Sequence, residues 1–176
     1  MANGSQNTSP AASRRRYALL PMREYINYLA FICFLQTSAF GQSSEDSDFL
    51  KSKGTWPSPI DRIVKIDTRG VGITIQTDSN RIVRSVQPGQ VAIVTFIGDD
   101  YAVIVRNNNY FISYSNLKST SLKKSDYVKA GQEIGILAGD NDQLYELDIS
   151  LYCGDKAVVR IQDWFSKDFR RRVRIK

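Results

Sequence analysis

Tyr145-Glu-Leu-Asp-Ile-Ser-Leu151 is the stretch on which the fold class turns. Apolar Tyr145, Leu147, Ile149 and Leu151 alternate with polar Glu146, Asp148 and Ser150, the period of two that sends successive side chains to opposite faces of a strand. One face then meets a core and the other is polar. Working outward, the same β-branched and aromatic character recurs in Ile73-Thr-Ile-Gln-Thr77, Gln90-Val-Ala-Ile-Val-Thr-Phe96, Tyr101-Ala-Val-Ile-Val105, Tyr110-Phe-Ile-Ser-Tyr114, Glu133-Ile-Gly-Ile-Leu137 and Ala157-Val-Val-Arg-Ile161. Turn formers separate the runs at Gly98-Asp99-Asp100, Asn107-Asn108-Asn109, Gly139-Asp140-Asn141-Asp142 and Gly154-Asp155. Helical periodicity is hard to find between Gly54 and Phe165. The expectation is an all-β domain of about seven to nine short antiparallel strands, a sandwich or open barrel.

The 176 residues suffice for one domain with extensions, and 42% hydrophobic against 24% charged residues suits a globular chain with a core. Histidine is absent. That excludes a Ser-His-Asp or Cys-His nucleophile, an imidazole proton shuttle and an ordinary catalytic zinc site. The net charge of +6 is unevenly placed: residues 1–41 carry +3, residues 167–176 carry +5, and residues 42–166 carry −2. The folded part is therefore not a basic nucleic-acid surface, and no nucleic acid is expected as partner.

Arg23 precedes the apolar run Tyr28-Leu-Ala-Phe-Ile-Cys-Phe-Leu35, and Ala39 and Gly41 fit the small-residue positions of a secretory cleavage site. Residues 1–41 are expected to be a signal peptide, with Met22 as an alternative start, and the mature chain would be exported to the periplasm or cell envelope. The apolar run is short of the ~20 residues that span a bilayer, so no integral membrane span is expected. A buried amphipathic helix is the alternative. Acidic, Ser-rich residues 42–53 form a solvated linker in this reading, 54–166 the β domain, and 167–176 a basic tail. That tail is either solvated or in contact with an anionic surface. Cys153, alone after Gly41, has no disulfide partner and no histidine to activate it.

The order of these pieces resembles a known family. Gly54-Thr-Trp-Pro, Gly72-Ile-Thr-Ile-Gln-Thr77, Tyr114-Ser-Asn-Leu117, Val128-Lys-Ala-Gly-Gln-Glu-Ile-Gly135 and Tyr145-Glu-Leu-Asp-Ile149 are together similar to the core domain of LytM-type peptidoglycan endopeptidases. Within that family the likeness is to the non-catalytic murein hydrolase activators of the EnvC type. The resemblance implies that a His-x-x-x-Asp zinc pair falls on Gly70 and Thr74, or with a shift of two on Thr68 and Gly72. It places one catalytic histidine at Asn116, the other at Leu144, and the third zinc ligand at Glu146. Of these groups at most one carboxylate survives. Catalytic zinc requires three protein ligands and a bound water, so neither an enzyme nor any cofactor is expected.

A groove lined by Thr74, Gln76, Tyr114, Asn116, Glu146 and Asp148 would remain, able to hydrogen-bond but not to hydrolyse. Each residue keeps a plain alternative. Glu146 and Asp148 face solvent or hold a hard cation; Asn116 recognises an amide or ties down a turn; the tyrosines form a binding surface or fill the sheet face. The function implied is a regulator or scaffold that binds a peptidoglycan amidase and relieves its inhibition. A peptidoglycan-binding module using the vacated groove is the alternative, and a metallopeptidase with an unusual site at Glu146 and Asp148 a third reading. The long coiled coil that such activators carry before the domain has no counterpart between Gln42 and Gly54.

Overall fold

The structure is a computed structural model that describes residues 44–68, 71–139 and 144–172. The expected signal peptide and Gly70 lie outside the described residues. Ten strands are present among those described: β1 (Lys65–Asp67), β2 (Ile73–Thr77), β3 (Ile82–Arg84), β4 (Gly89–Ile97), β5 (Asp100–Asn107), β6 (Tyr110–Ser119), β7 (Tyr127–Val128), β8 (Glu133–Leu137), β9 (Tyr145–Cys153) and β10 (Lys156–Ala157). All pair antiparallel, in the order β1-β2-β9-β6-β5-β4-β7. The β3–β8 pair branches from β6, and β10 from β9. The sheet is open, as the alternating pattern implies, and not closed into a barrel.

Two-residue turns make the hairpins that set this order. Ile97 pairs with Asp100 around Gly98-Asp99, and Asn107 with Tyr110 around Asn108-Asn109. The leading turn residues, Gly98 and Asn108, take φ of 66° and 53°. That left-handed backbone matches the twist of the flanking strands and is open to glycine and asparagine.

One face of the sheet buries Ile73 and Ile75 of β2, Val103 and Val105 of β5, Ile112 and Tyr114 of β6, and Leu147, Ile149 and Leu151 of β9 in one core. The opposite face carries a smaller cluster of Ile104, Phe111 and Tyr152. The polar phase of β9 is therefore not uniformly solvated: Glu146 is exposed, but Ser150 and Tyr152 are buried.

Three expectations need correction. Residues 42–53 are not simply a solvated linker, because Ser44–Lys51 is helix α1, whose Phe49 stacks on Tyr110 at 3.9 Å and meets the Trp164 ring at 5.0 Å. The basic tail likewise begins as helix α2 (Lys167–Arg172), with Phe169 stacked on Phe165 at 4.1 Å. In both segments one aromatic among charged residues supplies the apolar area that holds the helix down. The strand expected over 157–161 ends at Ala157. Val159 is 73% exposed, Arg160 has φ of 58°, and a 3-10 turn over Ile161–Trp164 buries Ile161 and Trp164 instead.

The two ends of the domain clasp each other. Trp164 O accepts from Gly54 N at 2.9 Å and Trp56 N at 3.0 Å, and Ser166 N donates to Trp56 O at 2.9 Å. Trp56, Trp164 and Phe165 pack over this ladder.

Candidate functional site

Strand pairing builds the site. Thr74 of β2 lies opposite Asp148 of β9, and Gln76 opposite Glu146. On the other side of β9, Ser115 of β6 lies opposite Asp148. After Ser115 the strand β6 leaves β9 and takes β8 as partner, from Leu117 onward. Asn116 is the residue at this switch, with φ of 66°. Asparagine tolerates that left-handed conformation better than most residues, and its carbonyl accepts from Ala138 N at 2.8 Å.

Three side chains converge as a result. Thr74 Oγ1 donates to Asp148 Oδ1 at 2.5 Å, and Asn116 Nδ2 donates to Asp148 Oδ2 at 3.0 Å. Each carboxylate oxygen thus has its own donor. Beside them Gln76 Nε2 donates to Glu146 Oε1 at 2.6 Å. Burial raises the Asp148 pKa above the usual aspartate value, the Thr74 and Asn116 bonds pull it back, and the Glu146 charge raises it further.

The cluster gathers Thr74, Gln76, Asn116, Glu146 and Asp148. Leu144 lies just before β9 and is 44% exposed. Gly72 leaves no room for a side chain, since a Cβ there would stand 2.4 Å from Ile149 O.

Tyr114 is not a groove residue. It is fully buried, in phase with Ile112 on the core face. Its Oη accepts from Val86 N at 3.0 Å and sits 3.5 Å from Ser85 Oγ. Burial pushes its phenol up to about 12. The residues that reach the site face are its neighbours Ser113 and Ser115, whose hydroxyls are buried with no hydrogen-bond partner among the described residues. Their alternation with Ile112 and Tyr114 was the signal for them.

The zinc site implied by the sequence resemblance does not fit these residues. Thr74 offers a neutral hydroxyl already committed to Asp148, and Glu146 accepts from Gln76. No three His, Cys, Asp or Glu side chains are grouped to hold a metal among the described residues. The donor set lacks both the number and the softness of a catalytic zinc site. What it can do is present amide, hydroxyl and carboxylate groups for hydrogen bonding.

The architecture is thus an open antiparallel sheet with a self-bonded polar cluster where β6 switches from β9 to β8. Residues 68–158, more than half of the chain, match peptidase family M23, and the chain belongs to that family. Among solved structures, a putative peptidase M23 from Pseudomonas aeruginosa superposes with a TM-score of 0.56 at 12% identity, covering 82% of this chain and 61% of that one. Csd3 of Helicobacter pylori gives 0.52 at 20% identity, covering 66% and 36%. A chain of the SpoIIQ–SpoIIIAH pore-forming complex gives 0.50 at 16% identity, covering 65% and 93%. These likenesses establish the fold. The chain spans little more than a third of the length of Csd3. No curated protein matches it. Among the described residues no helix is long and apolar enough to cross a membrane.

Proposed function

We propose that this chain is an exported, non-catalytic regulator in the cell envelope, which binds a peptidoglycan amidase and activates or scaffolds it, as EnvC-type activators do. The observation that carries the reading is the Thr74–Asp148–Asn116 cluster. Thr74 and Asn116, which the resemblance places at metal-holding and proton-moving positions, are both committed to Asp148. Such a site has neither a Lewis acid holder nor an imidazole to activate water.

Two further points support it. The apolar run before Ala39 and Gly41 suits export. A chain of this fold also occurs in a complex of two different proteins, SpoIIQ with SpoIIIAH, so the scaffold is compatible with a protein partner.

The test is release of fragments from labelled peptidoglycan by a cognate amidase, with and without the purified chain. The expected result is stimulation only when the amidase is present. Sedimentation of the chain with the wall and no stimulation would replace this reading with that of a peptidoglycan-binding module.

A further inference from the structure

The sheet is open, so its edge strands expose backbone hydrogen-bonding groups, and natural edges are kept short or charged against pairing with another chain. Three edge strands follow that rule. β1 is Lys65-Ile-Asp67, β3 ends in Arg84 and β10 begins with Lys156, and none exceeds three residues. β4 departs from it: its nine residues, Gly-Gln-Val-Ala-Ile-Val-Thr-Phe-Ile, include neither a charged side chain nor a proline.

The outer side of β4 is covered at its beginning. Gly89 and Gln90 pair with β7, Val91 N donates to Asp126 O at 2.8 Å, and Val91 O accepts from Ser125 N at 2.8 Å. From Ile93 to Ile97 the strand pairs with β5 alone among the described residues. The side chains along this free edge are apolar on both faces of the sheet. Ile93 packs with the smaller cluster around Ile104, and Val94 against the main core. Phe96, in phase with Val94, stands at the rim: it is 56% exposed, with its ring 3.9 Å from that of Tyr101, directly opposite on β5.

We infer that this edge pairs antiparallel with the same edge of a second copy of the chain, about a two-fold axis at Thr95. The register follows from what is free. Centred on Thr95, the pairing sets Thr95 against its own copy, Val94 against Phe96 and Ile93 against Ile97, and it stops short of Val91, whose backbone groups are already bonded. Each pair is apolar or hydroxyl on hydroxyl, and no like charges meet. Centring on Val94 instead would set Ile97 against Val91 and Phe96 against the small Ala92. With Thr95 at the axis, Phe96 lies between Tyr101 and the partner's Val94, and its exposed ring is covered. Such a contact uses the same patch on both copies and closes at two, and addition of a strand to a sheet edge is a recurring mode of recognition. The inference is independent of the amidase reading.

Sedimentation equilibrium of the purified chain from ~1 μM to ~1 mM tests it. A short edge is small beside the ~1,200–2,000 Å² of a standard interface, so a reversible dimer is expected with a dissociation constant on the order of 10–100 μM. Thr95→Lys sets two ammonium groups against each other at the axis and should raise that constant at least ~10-fold, with the circular dichroism spectrum unchanged. Thr95→Cys brings two thiols into direct opposition, and mild oxidation should link them through that position, identified by the mass of the joined peptides. Gln90→Cys, exposed on the covered part of the same strand, should stay unlinked. If Thr95→Lys fails to fold, the two cysteine variants decide. A chain that is monomeric throughout, association that does not stop at two copies, a dimer untouched by Thr95→Lys, or equal linking of both cysteine variants would overturn the assignment.

Discussion

Asn116 reaches from β6, where the register with β5 slips by one residue between Tyr114 and Leu117 in a bulge, to Asp148 of β9, its Nδ2 donating to Oδ2 at 3.0 Å. With the Thr74 bond from β2 to the other carboxylate oxygen, this ties three strands through one aspartate. The sequence resemblance places metal and proton-transfer positions on these strands, and they carry a hydrogen-bond network centred on Asp148. In this network two neutral donors satisfy a partly buried carboxylate.

Asp148 makes stability depend on pH in a defined direction. Its folded pKa is raised, chiefly by burial. A raised acid contributes stability that is fully present below the unfolded value and is lost as pH rises through the folded value. Wild-type stability relative to Asp148→Asn should therefore decline from pH ~3 to pH ~7, read by urea denaturation at each pH. A difference independent of pH would contradict the burial of this group.

Asn116 combines a left-handed backbone with a side-chain bond, and two substitutions separate them. Asn116→Gly keeps the backbone easy but removes the amide, at a cost of about 1 kcal/mol. Asn116→Ala loses both, and should cost about 2 kcal/mol. Denaturation midpoints at constant slope give the comparison.

Tyr114 is a structural phenol. Tyr114→Phe leaves the Val86 N–H without its acceptor in the core, a loss of about 1–3 kcal/mol. Because its pKa is raised to about 12, its contribution is complete below the ordinary tyrosine value and disappears as pH rises through about 12. An ultraviolet titration should show a tyrosine that ionises only in that range or on unfolding.

Phe49 tests whether α1 belongs to the domain. It is 3% exposed and packs on Tyr110, Trp56 and Trp164. Phe49→Ala should destabilise by about 3–5 kcal/mol, whereas Leu50→Ala, at a residue 51% exposed, should stay within about 0.5 kcal/mol. Equal small effects would return this segment to a solvated linker.

Where burial follows strict alternation, the fold was legible in the sequence. Ile73–Thr77 and Glu133–Leu137 are strands with the expected bounds, and Tyr145, Leu147, Ile149 and Leu151 share the core face. Alternation also carried the polar partners Thr74, Gln76, Glu146 and Asp148 to one side. At Tyr114 the alternation with Ile112 gives the core face, against the motif that groups Tyr114 with Asn116. The bulge at Asn116 is what separates them, and a bulge has no period to detect. Phe49 and Phe169 are hidden for a different reason: each is a lone aromatic in a charged segment, Phe49 packing on Trp164, remote in sequence, and Phe169 on Phe165, which follows the 3-10 turn.

The most direct measurement of the central claim is incubation of the purified chain alone with peptidoglycan and added zinc, followed by analysis of soluble fragments. The account predicts no release above the protein-free control, with or without chelator. Fragment release that requires zinc, and that both chelator and Glu146→Ala abolish, would contradict it.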